Sequence, residues 1–204
     1  MNKNGLKYGV LVLLLAVVAY NSVYFRKLDE KKASAATTKF DAAAYADAFW
    51  KTKLLPDSGK AIELNMLIQE LKTDKDKAFE AHSHALSIGN LRYFLVRGTG
   101  KITAIGDHDV TVLLANGPEV TIATEYVFGN AARDASGQIR LTDFDNTMDL
   151  NNVSSEINKI IRNRVVAPFK ASAKTGQEVS FIGAIELNRE HLHTDAIEVI
   201  PIHI

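Results

Sequence analysis

The spacing of hydrophobic residues changes character repeatedly along the chain. Residues 8–25, YGVLVLLLAVVAYNSVYF, form an apolar run, with Lys3 and Lys7 before it and Arg26, Lys27, Lys31 and Lys32 after it. The strongly apolar part, 8–20, has the length of a signal-peptide core, while 8–25 as a whole approaches the roughly 20 residues that a helix needs to cross a bilayer. Residues 1–26 are therefore read as an uncleaved signal anchor or as a signal peptide cut after Val17-Val18-Ala19. Either reading exports the remainder of the chain. Residues 27–38 are small and charged without periodicity, and read as a linker. From about Lys39 the apolar residues recur at helical spacing. Tyr45, Phe49 and Trp50 predict a helix over 40–53, capped by Thr37 or Thr38 and stopped by Leu54-Leu55-Pro56. Leu64, Leu67, Ile68 and Leu71 predict a second helix starting near Gly59. Ala78, His82, Ala85 and Leu86 predict a third over 74–88, with Gly89 behind it.

At Leu91 the period shifts to that of strands. Segments 92–105, 109–114 and 119–128 are rich in Val, Ile, Thr, Tyr and Phe, and are separated by Gly106-Asp107-His108 and Asn116-Gly117-Pro118. Segment 138–144 alternates and predicts a further strand, with Asp143 on its apolar face. Val153, Ile157, Ile160, Ile161 and Val165 then define an amphipathic helix that Asn152 could cap and that Pro168 ends or kinks. Strands return at 178–187, where Gly183 suits a bulge or a close approach, and at 196–204, where Pro201 argues for an edge or a bulge. Three or four strands, one helix and two more strands is the order of an OB-like barrel. The predicted fold class is thus α+β: an N-terminal transmembrane or signal helix, a helical layer over 39–90, and an OB-like, mostly antiparallel β-barrel over 91–204. The one helix precedes the last two strands, and 39–204 is read as a single exported domain. Other α+β sandwiches share this order of elements.

Composition adds an address and removes some chemistries. With 47% hydrophobic residues in 204 the chain can bury a substantial core. Residues 1–32 carry six Lys and Arg against two acids, and the rest carries 18 against 22. A mildly acidic main domain is a poor binder of phosphate backbones, so no nucleic acid is expected as a partner. The sequence holds no Cys, which removes disulfides, thiolate metal sites, thiol nucleophiles and lipid attachment through Cys. The membrane is then reached through the N-terminal helix, which places the domain in the periplasm, anchored at the inner membrane or released there if 1–26 is cut.

Polar residues concentrate in 129–146, GNAARDASGQIRLTDFDN. Asp134-Ala-Ser-Gly137 predicts a tight turn. Arg133, Asp134, Asp143, Asp145 and Asn146 form either a polar pocket for a sugar, whose hydroxyls suit carboxylates and a bidentate Arg, or a structural network in which Arg133 braces Asp143. The Asp143 and Asp145 pair also admits a hydrolytic or metal-dependent reading. With Asp149 the cluster lacks the spacing and closing Glu of an EF-hand loop. His82 and His84, two apart on a helix, diverge; His191 and His193 could converge on an extended stretch, but two ligands fall short of a zinc set. No nucleophile elbow, P-loop or dinucleotide fingerprint occurs, so no catalytic residue, metal or cofactor is assigned. Tyr45, Phe49 and Trp50 read as core or as a stacking platform.

Phe49-Trp50 with Leu54-Leu55-Pro56, Arg97-Gly98-Thr99-Gly100, the 129–146 stretch and Glu198-Val199-Ile200-Pro201 together resemble an uncharacterised bacterial family of predicted periplasmic lipoproteins. The resemblance covers about 39–204, and its central motif is matched by Gly129, Arg133, Asp134, Gly137, Asp143, Phe144 and Asn146. The chain departs from it in lacking the lipidated Cys. Such proteins are often encoded near sugar ABC transporters. The resemblance therefore implies a non-enzymatic, envelope-anchored accessory or binding protein whose partners are transporter components or a sugar, with an exported hydrolase and a structural envelope protein as the alternatives.

Overall fold

Asp41 opens the first helix. The computed structural model describes residues 40–204 together with Tyr8, Val12, Leu13, Val17, Val18 and Tyr20, so the linker 27–38, Thr37, Thr38 and most of the 8–25 run lie outside the described residues. Among the described residues no helix is long and apolar enough to cross a membrane. Residues 41–204 make one compact unit. Helix α1 (Ala42–Phe49) is capped by the Asp41 carboxylate, which accepts from Ala44 N at 2.9 Å, so the cap is an aspartate at the helix start.

Pro56 does not end this helix. The backbone widens into a π-turn over Trp50–Leu54 and continues as α2 (Leu55–Asp57). The same device recurs downstream, where a π-turn over Arg162–Val166 precedes Pro168 in α7 (Ala167–Ser172). In both places the wider turn carries the chain past the carbonyl that a proline ring would strike and to which it has no N–H to donate. The extra residue also rotates the next face of the helix. Val166, not Val165, is the buried valine.

A 3₁₀ turn (Ser58–Lys60) and a two-residue strand β1 (Ile62–Glu63) come before α3 (Leu64–Thr73), which starts later than expected but buries Leu64, Leu67, Ile68 and Leu71. Helix α4 (Lys75–His82) is capped by Asp74 and stops well short of Ile88. Ser83–His84 instead form β2, paired with Phe94 and Tyr93, so sheet hydrogen bonds replace the last turns of the helix.

The long strand β3 (Leu91–Ile105) pairs antiparallel with β4 (Asp109–Leu114) and with β6 (Glu178–Asn188). β4 pairs antiparallel with β5 (Glu119–Ala123), β5 parallel with β7 (Glu198–His203), and β7 antiparallel with β6. The pairing cycle β3-β4-β5-β7-β6 thus returns to β3. Phe94, Val112, Ile122, Phe181 and Ile185 fill its inner side and meet Leu64 and Leu67 of α3. Gly183 lies where β6 shifts register against β7, with Val199 and Ile200 against its α-carbon. β7 pairs with β5 only at Glu198 and Val199, so Pro201 has a strand partner on the β6 side alone, next to that irregularity.

β5 ends at Ala123, five residues earlier than expected, because Thr124 N and Glu125 N both donate to His108 O (2.8 and 3.1 Å) and turn the chain outward. The strand expected over 138–144 is absent. Ile139 is buried but Leu141 is exposed, and Leu141–Asp143 form a 3₁₀ turn closed by Arg140 N donating to the Asp143 carboxylate at 3.1 Å. Helix α6 (Thr147–Ile161) then begins at Asn146, whose side-chain oxygen accepts from Asp149 N at 2.9 Å; Asn152 lies inside it. Asn146→Ala is expected to lower stability by about 1 kcal/mol in urea denaturation, and Asn152→Ala by less than about 0.5 kcal/mol.

Candidate functional site

The five polar residues singled out in the sequence separate into two environments. Arg133 and Asp134 sit on the one-turn helix α5 (Ala131–Asp134) and are 4% and 5% exposed. Although adjacent in sequence, they form a bidentate pair: Arg133 Nε to Asp134 Oδ1 at 2.6 Å and Nη2 to Oδ2 at 3.0 Å. Arg133 Nη1 donates to Ser154 Oγ at 2.8 Å, Ser154 Oγ to Asn130 Oδ1 at 3.2 Å, and Asn158 Nδ2 to Gly129 O at 2.9 Å. These bonds fasten residues 129–134 to α6. Burial pushes the nearby Tyr93 phenol above its ordinary pKa, and the carboxylates of Glu186 and Asp134 push the same way, so it stays protonated. Gly137 closes the turn at φ 66°, with its N–H on Asp134 O at 2.9 Å.

Asp143, Asp145 and Asn146 are exposed. The Arg133 partner is therefore Asp134 and not Asp143, because α5 turns the guanidinium inward while the 3₁₀ turn keeps Asp143 in solvent. With no strand at 138–144, Asp143 and Asp145 share no strand face, and Asn146 caps a helix. One sugar pocket lined by all five residues is not formed.

His82 and His84 both line a cavity of about 210 Å³ beside Asp57. His82 Nε2 meets Glu70 Oε2 at 2.8 Å, whereas burial lowers the pKa of His84. His191 and His193 are exposed in the loop after β6, and His193 Nδ1 is 3.9 Å from Asp195. Among the described residues no three His, Asp or Glu side chains group to hold a metal. Phe49 and Trp50 are buried, so these aromatics serve the core.

A different set of rings is presented to solvent, and the hydrophobic pattern alone did not single it out. His108, in the β3–β4 loop, lies 4.8 Å from the Tyr126 ring, and Tyr126 lies 6.4 Å from Phe128, with interplanar angles of 44° and 34°. Tyr126 is 56% exposed and Phe128 64%, while Val127 between them is fully buried. The signal that could have found it is the alternation Tyr126-Val127-Phe128, which puts both rings on one side of an anchored valine. Arg162 closes the row, its Cζ 5.7 Å from the Phe128 centroid and its Nη1 donating to Val127 O at 2.6 Å. Lys170 Nζ donates to Asp107 O at 2.7 Å. Together with the two N–H bonds to His108 O, these contacts brace the two backbone segments that carry the rings. The row is thus two tilted ring pairs with a cation over the face of the last ring.

The chain is mixed α+β, with its strands in the closed pairing cycle β3-β4-β5-β7-β6. It is similar to an OB-fold protein from Thermotoga maritima MSB8, with 26% sequence identity and a TM-score of 0.73, covering 81% of this chain and 98% of the other. The family model described as predicted periplasmic lipoprotein (DUF2291) matches residues 13–204, and the chain belongs to that family. No curated protein matches the chain.

Proposed function

We propose that the protein is a non-enzymatic periplasmic binding protein that holds a carbohydrate chain on the His108, Tyr126 and Phe128 rings, as an accessory of a sugar transport system. The observation that carries this reading is the braced aromatic row. OB folds bind oligosaccharides and oligonucleotides on the face of their second and third strands and on the loop between the first and second. Here those are β4, β5 and residues 106–108; His108 lies in that loop, and Tyr126 and Phe128 lie in the segment that follows β5. The acidic domain disfavours nucleic acid. The apolar C–H face of a sugar ring stacks on aromatic faces, and its hydroxyl rim is within the chemistry of Glu125 and Arg162 at the margins. In this reading the strand cycle is a barrel that serves as a rigid frame, and the 8–25 run tethers it to the inner membrane.

The test is calorimetric titration of the full-length protein, in a zwitterionic detergent, with neutral oligosaccharides including maltotetraose, cellotetraose and chitotetraose. At least one binds, and Tyr126→Ala and Phe128→Ala each weaken it about tenfold, which is about 1.4 kcal/mol. Melting temperatures stay close to wild type because both rings are exposed. Binding by none of the sugars, or binding indifferent to both substitutions, rejects the reading.

A further inference from the structure

β6 pairs with β3 along its whole length, from Leu91↔Asn188 to Lys101↔Glu178, but its pairing with β7 spans only Ile182 to Ala184. The two sides of β6 can be told apart at its start. Ile102 N donates to Gln177 O at 2.9 Å, so Gln177 turns its backbone toward β3, and the alternation of an antiparallel ladder turns Val179 the same way. The N–H and C=O of Glu178 and Ser180 therefore face the opposite side, the side on which Ile182 meets His203. β7 has no pairing with them there. What borders them is a cleft of about 510 Å³ with Trp50, Phe169, Val179 and Ile202 among its apolar lining and Glu178 and Ser180 on the sheet side. One π-turn contributes Trp50 to its wall, and the other contributes Val165. Ser180 and His203 also line an adjoining cavity of about 230 Å³ beside Arg97 and Phe181. That second cavity is bordered by β3 as well as β6.

We propose that this cleft is a docking groove for an extended peptide segment of a partner polypeptide. The segment adds as a strand against Glu178 and Ser180 and sinks an apolar side chain beside Trp50 and Phe169. Two N–H and C=O pairs at a two-residue repeat form the template to which another strand adds. This site is separate from the aromatic row and does not depend on it.

The test pans full-length protein against phage-displayed random ten-residue peptides and measures the enriched sequences as labelled synthetic peptides, with N-methyl groups on one set of alternate residues or the other. Ser180→Pro removes an N–H that faces the cleft and no bond to β3, with Ser180→Ala as its control; Ser172→Trp fills the cleft from α7. The expected result is binding to wild type and Ser180→Ala, weakened at least about tenfold in Ser180→Pro and Ser172→Trp, and abolished by N-methylation in one register only. If Ser180→Pro does not fold, Ser172→Trp and the N-methyl pair carry the test. Enrichment of nothing, or binding indifferent to N-methylation and to the cleft variants, overturns the proposal. So does a sedimentation dimer of the wild type that Ser172→Trp dissolves, since it gives the groove to a second copy.

Discussion

Arg133→Ala is expected to destabilise the protein by about 3–5 kcal/mol, because it leaves the Asp134 carboxylate buried without its bidentate partner. It also strips Ser154 Oγ of a donor at the joint between the 129–134 segment and α6. Urea denaturation measures the loss. The substitution Asp143→Ala is the internal contrast, since Asp143 is exposed and accepts from Arg140 N in a surface turn, and it should shift stability by no more than about 1 kcal/mol. The double replacement Arg133→Met with Asp134→Leu removes both charges together and should recover most of the loss, as apolar replacements of buried ion pairs commonly do. Equal effects of Arg133→Ala and Asp143→Ala would contradict the assignment of this motif to structure.

Gly100→Ala is expected to cost about 3 kcal/mol, the upper part of the usual overpacking range. A methyl group on Gly100 would run into Leu113 O, a backbone atom held in the β3–β4 ladder, and into Val112. Neither strand can withdraw without breaking pairs. Gly129→Ala is the comparison: its φ is 77°, but nothing lies within 4 Å of the added carbon, so only the backbone penalty of roughly 1–2 kcal/mol applies. The Arg97-Gly98-Thr99-Gly100 motif thus owes part of its form to the close approach of β3 to its neighbours. Chemical denaturation of both variants separates the two causes.

The strands at 91–105, 109–114 and 178–188 were legible because each is a β-branched and aromatic run bounded by turn chemistry, as at Asn116, which adopts φ 61°. The stripe Leu64, Leu67, Ile68 and Leu71 was legible for the same kind of reason, a regular period over two turns. Helix ends were less so. Nothing in a hydrophobic period announces a π-turn, so Pro56 reads as a terminator although the widened turn carries the helix past it. Arg133 reads as the partner of Asp143 because 138–144 reads as a strand that buries Asp143, whereas the 3₁₀ turn leaves Asp143 exposed and the guanidinium folds back onto Asp134 along its own helical turn. The aromatic row joins residues 108, 126, 128 and 162, which lie far apart in sequence and are brought together by the strand cycle and the π-turn after α6.

The central claim is that ligand recognition lies on the His108, Tyr126 and Phe128 row while the 129–146 motif holds structure. It is tested most directly by backbone amide NMR of the isotopically labelled protein during titration with an oligosaccharide that binds. The account predicts shift changes that saturate together at residues 106–108, 124–128 and 162, with Arg133, Asp143, Asp145 and Asn146 unmoved. Saturating shifts centred on Asp143 to Asn146, with the row silent, would contradict it.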